Sequence, residues 1–201
     1  MVDAVLYNSL AWVINGSSQY ATNVASFVDT WFLANDTYMN PNLNYAQVVR
    51  GPGPTSNKGT HTGVLDLKCM AKVVNAVLVL RAGNAPQWTS KIDSGLIAWT
   101  KTYIGWLTSS DIALEEAAAT KCVILISPLS RLWAASCMSH ARCDSNHGSY
   151  YYNQLAALQI LVNDTASASA TIQKYFSTLY KNQINGTGEQ VRTALRAACA
   201  L

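Results

Sequence analysis

Apolar residues recur at intervals of three and four along most of this chain, and no stretch keeps an alternation of period two. Tyr20, Val24, Phe27, Val28, Trp31 and Phe32 form one such stripe, with Ser17 or Ser18 placed to cap it. Val64 to Leu80 is apolar at 67, 70, 73, 74, 77 and 78. Ile92, Leu96, Trp99, Tyr103, Trp106 and Leu107 form another stripe, opened near Thr89 or Ser90. Tyr150 to Val162 and Ile172 to Ile184 complete the set, with Thr165 or Ser167 at the start of the last. This pattern excludes a sheet and predicts an all-α fold. Short polar loops between the stripes make neighbouring helices antiparallel, as in a stack of helical hairpins.

At 201 residues the chain is long enough for one domain with a real core. Half its residues are apolar and 12% are charged, which suits a folded chain and argues against disorder. The net charge of +3 permits an anionic partner without demanding one. Lys and Arg are scattered rather than striped, so nucleic acid is not an expected partner. No apolar run reaches the ~18 residues of a membrane span. The opening "MVDAVLYNSLAWVING" has no basic region before it and does not read as a signal peptide. Sequons begin at Asn15, Asn35, Asn163 and Asn185, and these fit a secreted parent protein. The five cysteines, Cys69, Cys122, Cys137, Cys143 and Cys199, give no paired framework. His140 between Cys137 and Cys143 makes only a weak zinc pattern.

The longest irregular segment runs from Asn35 to Gly63 and is rich in Asn, Pro and Gly. So many turn formers in a helical chain fit a functional loop, or else a plain surface connection. Three clusters carry groups able to do chemistry. "MNPNLNYAQVVRGPG" holds Asn42, Asn44, Tyr45, Gln47 and Arg50. "KGTHTGVLDLK" holds Lys58, His61, Asp66 and Lys68, and "SNHGSYYYNQ" holds Asn146, His147 and Tyr150 to Tyr152. An amide beside an imidazole at a helix start suits a carboxylate ligand, and the imidazole can take a proton as general base. Tyr rings offer a stacking face for sugars and a proton donor. A lone His at a helix start is more often a cap or a surface residue.

"WFLANDTYMNPNLNYAQ", "KGTHTGVLD" and "NHGSYYYNQLAAL" resemble the alginate lyase family of polysaccharide lyases, in the family's order. The resemblance covers about Trp31 to Glu116 and Asn146 to Gln190. It implies an incomplete (α/α) toroid of helical hairpins around a deep cleft. It also implies secretion and cleavage of uronate polymers, alginate or glucuronan, by β-elimination, a carbon–oxygen lyase reaction that needs no metal or other cofactor. An anionic polysaccharide is then the partner. By resemblance, Asn146 is the amide that neutralises the substrate carboxylate and His147 is the base. Asn42, Tyr45 and Arg50, with Tyr150 and Tyr151, are the substrate-binding candidates.

The family's motif reads Asn-Asn-His-Gly, whereas here Ser145 precedes Asn146. Joining Thr120 through one Asn to Asn146 restores the pattern without a gap, so Lys121 to Ser145 reads as a foreign insertion. Codons available at its two ends resemble intron borders, so it reads as a translated intron, the alternative being a genuine loop of this chain. Residues 191–201 read as a non-native tail, and the family's catalytic Tyr is expected beyond Leu201. The apolar insertion and the incomplete toroid lead us to expect a marginally stable chain with impaired activity. A non-catalytic carbohydrate-binding protein and an inert fragment are the alternatives. Product formation, binding without product, or neither would separate the three.

Overall fold

A computed structural model of the chain describes residues 1–53, 56–118 and 147–183. Every regular element among them is helical. Helix α1 (Val2–Asn15) ends at Gly16, whose φ of 76° reverses the chain at once into α2 (Ser18–Val28). A π-helical turn, Asp29–Leu33, prolongs α2 and sets Phe32 edge-on against Trp99, 4.7 Å between ring centroids. The irregular segment follows and ends in a 3-10 helix, His61–Leu67. Next come α3 (Met70–Ala82), α4 (Ser90–Ser109), α5 (Asp111–Ala118), α6 (His147–Leu161), α7 (Thr165–Ser177) and the short α8 (Leu179–Gln183).

Side-chain pairings fix the directions of these helices. Asp3 meets Lys72 near the starts of α1 and α3, and Trp12 lies against Gly83 at their far ends, so these two run parallel. Arg81 at the end of α3 donates to the carbonyl of Leu161 at the end of α6, so α6 runs the same way. Asn23 donates to Asn8, folding α2 back along α1. Thr171 donates to Gln159 and folds α7 back along α6. Tyr103 donates to Gln154, and Tyr151 to the carbonyl of Leu107, which sets α4 antiparallel to α6. Three parallel helices, α1, α3 and α6, are thus backed by three that return. This is the up-and-down layering of a toroid built from hairpins.

Between the layers lies one core of Val24, Val28, Phe32, Val73, Val77, Leu80, Leu96, Tyr103, Leu107, Leu158 and Leu161. The caps follow local chemistry. Thr89 accepts from the Ile92 N–H at 3.4 Å, as its position before α4 leads one to expect. Asp164, rather than Thr165 or Ser167, caps α7 by accepting from the Ser167 N–H at 3.0 Å. Ser17 stands at the α2 cap position without a side-chain hydrogen bond. The stripe read from Ile172 to Ile184 is broken at Thr178, where the backbone leaves the helical region (φ −121°, ψ −84°). The suspected insertion at Lys121 to Ser145 and the suspected tail at 191–201 lie outside the described residues.

Candidate active site

The loop ahead of the 3-10 helix folds onto itself by backbone pairing. Gly59 N–H donates to the Asn44 carbonyl at 2.7 Å, and Thr60 N–H to that of Ala46 at 3.2 Å. Gly59 and Gly63 are needed here because a Cβ on either would strike backbone atoms of Asn44 or Ala46. The turn carrying Asn42, Asn44 and Tyr45 is thereby fixed to the strand of chain that delivers His61. Trp106 of α4 donates its indole N–H to Asn44 Oδ1 at 2.7 Å and ties the turn to the helical core.

Three titratable side chains from three elements meet beside this turn. His61 opens the 3-10 helix, Glu116 projects inward from α5, and His147 is the first residue of α6. Glu116 is fully buried, whereas the His61 and His147 side chains are 34% and 27% exposed. His61 Nδ1 lies 2.7 Å from Glu116 Oε2. His147 Nδ1 lies 3.0 Å from Oε1 and 3.2 Å from Oε2, and only the second contact has hydrogen-bonding alignment. Oε1 therefore makes no hydrogen bond among the described residues. The two imidazole rings stand 6.1 Å apart, and exposed Glu115 comes within 3.8 Å of His61 Nε2.

One turn along α6, Tyr150 lies under the ammonium of Lys68, 5.2 Å from its ring centroid. An exposed cation thus covers the first turn of α6. Asn42 and Tyr45, with Trp31, Met39 and Asp66, line an open depression of about 540 Å³ at the other end of the 3-10 helix. Its apolar and aromatic wall with a few polar groups is the kind of surface on which a sugar ring stacks.

The sequence-based candidates thus fall in different places. His147 is in the cluster and Tyr150 beside it. Asn42 and Tyr45 line the depression at the other end of the 3-10 helix instead. Arg50 is exposed in the loop and takes no part in the ion pairs of the cluster. Tyr151 is 3% exposed and spends its hydroxyl on the Leu107 carbonyl at 2.8 Å, so it serves the core. Burial pushes its pKa up to about 12, which keeps the phenol protonated. Asn146 lies outside the described residues. Glu116 went unnoticed in the sequence. The available signal was its spacing of three from Ala113, which puts both on the inward face of α5.

Two imidazoles and a carboxylate are a donor set that a zinc-like ion accepts, and their ligand atoms all lie within 4.8 Å of one another. The 2.7 Å between His61 Nδ1 and Glu116 Oε2 is a hydrogen-bond length. Ligands around a tetrahedral zinc stand about 3.3 Å apart, given the usual bond lengths. The present arrangement is that of a hydrogen-bonded cluster.

The family model for alginate lyase matches residues 1–123, well over half of the chain. The chain belongs to the alginate lyase family. Its structure is similar to a crystal structure of an alginate lyase from Bacteroides ovatus, with a TM-score of 0.74 and 26% sequence identity. The match covers 94% of this chain and 42% of that one, so the chain spans less than half the length of this relative. No protein of curated function matches the chain. Family membership sets the chemistry to look for, a polysaccharide lyase reaction. The all-α toroid-type layering described above is the fold that goes with it.

Proposed function

We propose that this alginate lyase family chain carries the proton-abstracting side of a site that cleaves uronate polymers by β-elimination. The observation that supports this best is His147. It opens α6, rests its Nδ1 on a fully buried carboxylate, and keeps its ring partly open to solvent. In the reaction a base removes the proton from C5 of a uronate, and the electron pair moves toward the carboxylate carbon. The pair then forms the C4–C5 double bond as the C4–O4 bond breaks, and O4 takes a proton from water as it leaves. His147 is the base, and Asn146 before it is the amide that steadies the charge growing on the carboxylate. The start of α6 favours that anion further. Asn42 and Tyr45 hold a neighbouring sugar in the open depression. Arg50 offers a charge from the loop to the polymer, and the protein acts outside the cell, where such polymers occur.

The test is incubation with alginate and with glucuronan while following near-ultraviolet absorbance of the unsaturated product. We expect product from the chain and none from His147→Ala. Polymer binding with no product would make the chain a carbohydrate-binding module, and neither would make it inert.

A further inference from the structure

We infer that Glu116 is the positioning residue of this site, a single buried carboxylate that fixes the tautomer of two imidazoles at once. This deepens the lyase reading above and rests on it. An ionised carboxylate only accepts hydrogen bonds, so a ring nitrogen bonded to it must carry the proton. His61 Nδ1 and His147 Nδ1 both bond to Glu116 Oε2, at 2.7 and 3.2 Å. Each neutral ring has one N–H, so both rings keep their lone pair on Nε2. That is the form in which an imidazole acts as a base.

The placement is specific. Glu116 comes from α5, while the rings come from the starts of α6 and of the 3-10 helix, so one side chain joins three elements. It is fully buried, and in a low-dielectric setting its charge orients donors more strongly than it would in water. A carboxylate has about four lone-pair positions, so two N–H donors do not saturate it. Glu116 does not touch substrate in this scheme. It acts through His147 and holds His61 in the same protonation state beside it.

The experiment compares the full chain with Glu116→Leu, which roughly keeps size and removes both acceptor oxygens. Both Nδ1 atoms bond to Oε2, so a glutamine oxygen in that place would still accept from both rings. Without the carboxylate nothing at position 116 holds either proton on Nδ1, and each ring is free to take its Nε2–H form. Proton–nitrogen correlation spectra of the rings, taken where both are neutral and assigned with His61→Gln and His147→Gln, read this directly. We expect Nδ1–H on both rings in the parent chain and a switch of at least one ring to Nε2–H in E116L. The rate of elimination should fall about 10²- to 10⁴-fold with KM nearly unchanged, the usual worth of a general base. Glu116→Asp should restore the parent tautomers and part of the rate.

Nε2–H on both rings in the parent, or unchanged tautomers in E116L, would overturn the inference. So would rings that lack an Nδ1 proton until a chelator is added, which would mean a metal centre. If E116L does not fold, the parent spectrum decides alone, Nδ1–H on both rings supporting the inference. A parent chain that yields no unsaturated product on any uronate polymer would remove the lyase reading. The spectra would still decide the role of Glu116.

Discussion

Gly63 lies against Ala46 so closely that a Cβ on the glycine would come within 2.5 Å of the Ala46 carbonyl oxygen. That oxygen belongs to backbone already held by the Thr60 N–H, so it cannot swing aside. Gly63→Ala must push the Asn42–Gln47 turn away from the 3-10 helix. We expect a loss of about 1–3 kcal/mol, the usual cost of overpacking. Polymer affinity should fall as well, because Tyr45 moves with the turn. Thermal melts and KM on a uronate polymer measure the two effects. Unchanged values of both would show that the turn and the helix are not rigidly joined.

Asp93 collects two donors at the junction of α3 and α4. Arg81 Nε and Trp88 Nε1 both reach its Oδ1 at 2.7 Å, while Arg81 Nη1 holds the Leu161 carbonyl at 2.9 Å. Arg81 Nη2 already lacks a hydrogen-bond partner among the described residues. Asp93→Ala would leave a mostly buried guanidinium without its carboxylate and a tryptophan N–H unpaired. A cost of about 2–3 kcal/mol is expected, and Asp93→Asn should cost less because it keeps an acceptor. Urea midpoints of the two variants test the order.

How much of this was legible in the sequence depends on the helix concerned. The α4 stripe was plain because Leu96, Tyr103 and Leu107 are fully buried while Lys101 and Thr102 between them are exposed. Helix α1 escaped notice. It buries only Val5 and Ser9 and leaves Tyr7, Leu10, Val13 and Ile14 exposed, so its apolar residues mark no inward face. The Val64 to Leu80 stripe hides a change from 3-10 to α geometry near Cys69, since periods of 3.0 and 3.6 cannot be told apart over seven residues. At the site, His147 was readable from its motif and His61 from its cluster. Their meeting was not readable, because the residue that joins them is 55 positions from one and 31 from the other.

Two buried phenols give the fold a one-sided response to alkali. Burial raises the pKa of Tyr151 to about 12, and that of Tyr103 is raised further by the same cause. A phenol whose folded pKa is raised stabilises the fold fully below its ordinary pKa of about 10. That contribution drains away as pH climbs through the folded value. The melting temperature should therefore drop between about pH 10 and 12. Tyr151→Phe should start lower, because it leaves the Leu107 carbonyl unpaired, yet decline less steeply. Melts across that range give both slopes, and parallel slopes would sink the assignment.

The two helix starts at Ser17 and Asp164 make opposite predictions from similar sequence. Asp164 accepts from the Ser167 N–H at 3.0 Å, whereas Ser17 makes no cap bond. The Ser167 contact lowers the Asp164 pKa. A carboxyl with a lowered folded pKa stabilises above its ordinary value near 4 and loses that contribution as pH falls through the folded one. Asp164→Ala should therefore lower the melting temperature at pH 7 and make a smaller difference near pH 3, where the parent is losing the same contribution. Ser17→Ala should change neither. The neighbouring turn sharpens the contrast, because Asn163 already sits at φ 63°, a backbone shape that helps reverse the chain from α6 into α7. With the reversal fixed independently of the cap, the Asp164 variant isolates the cap bond itself. Melts of both variants at the two pH values decide it, and an equal loss for Asp164→Ala at both would show that the charge plays no part.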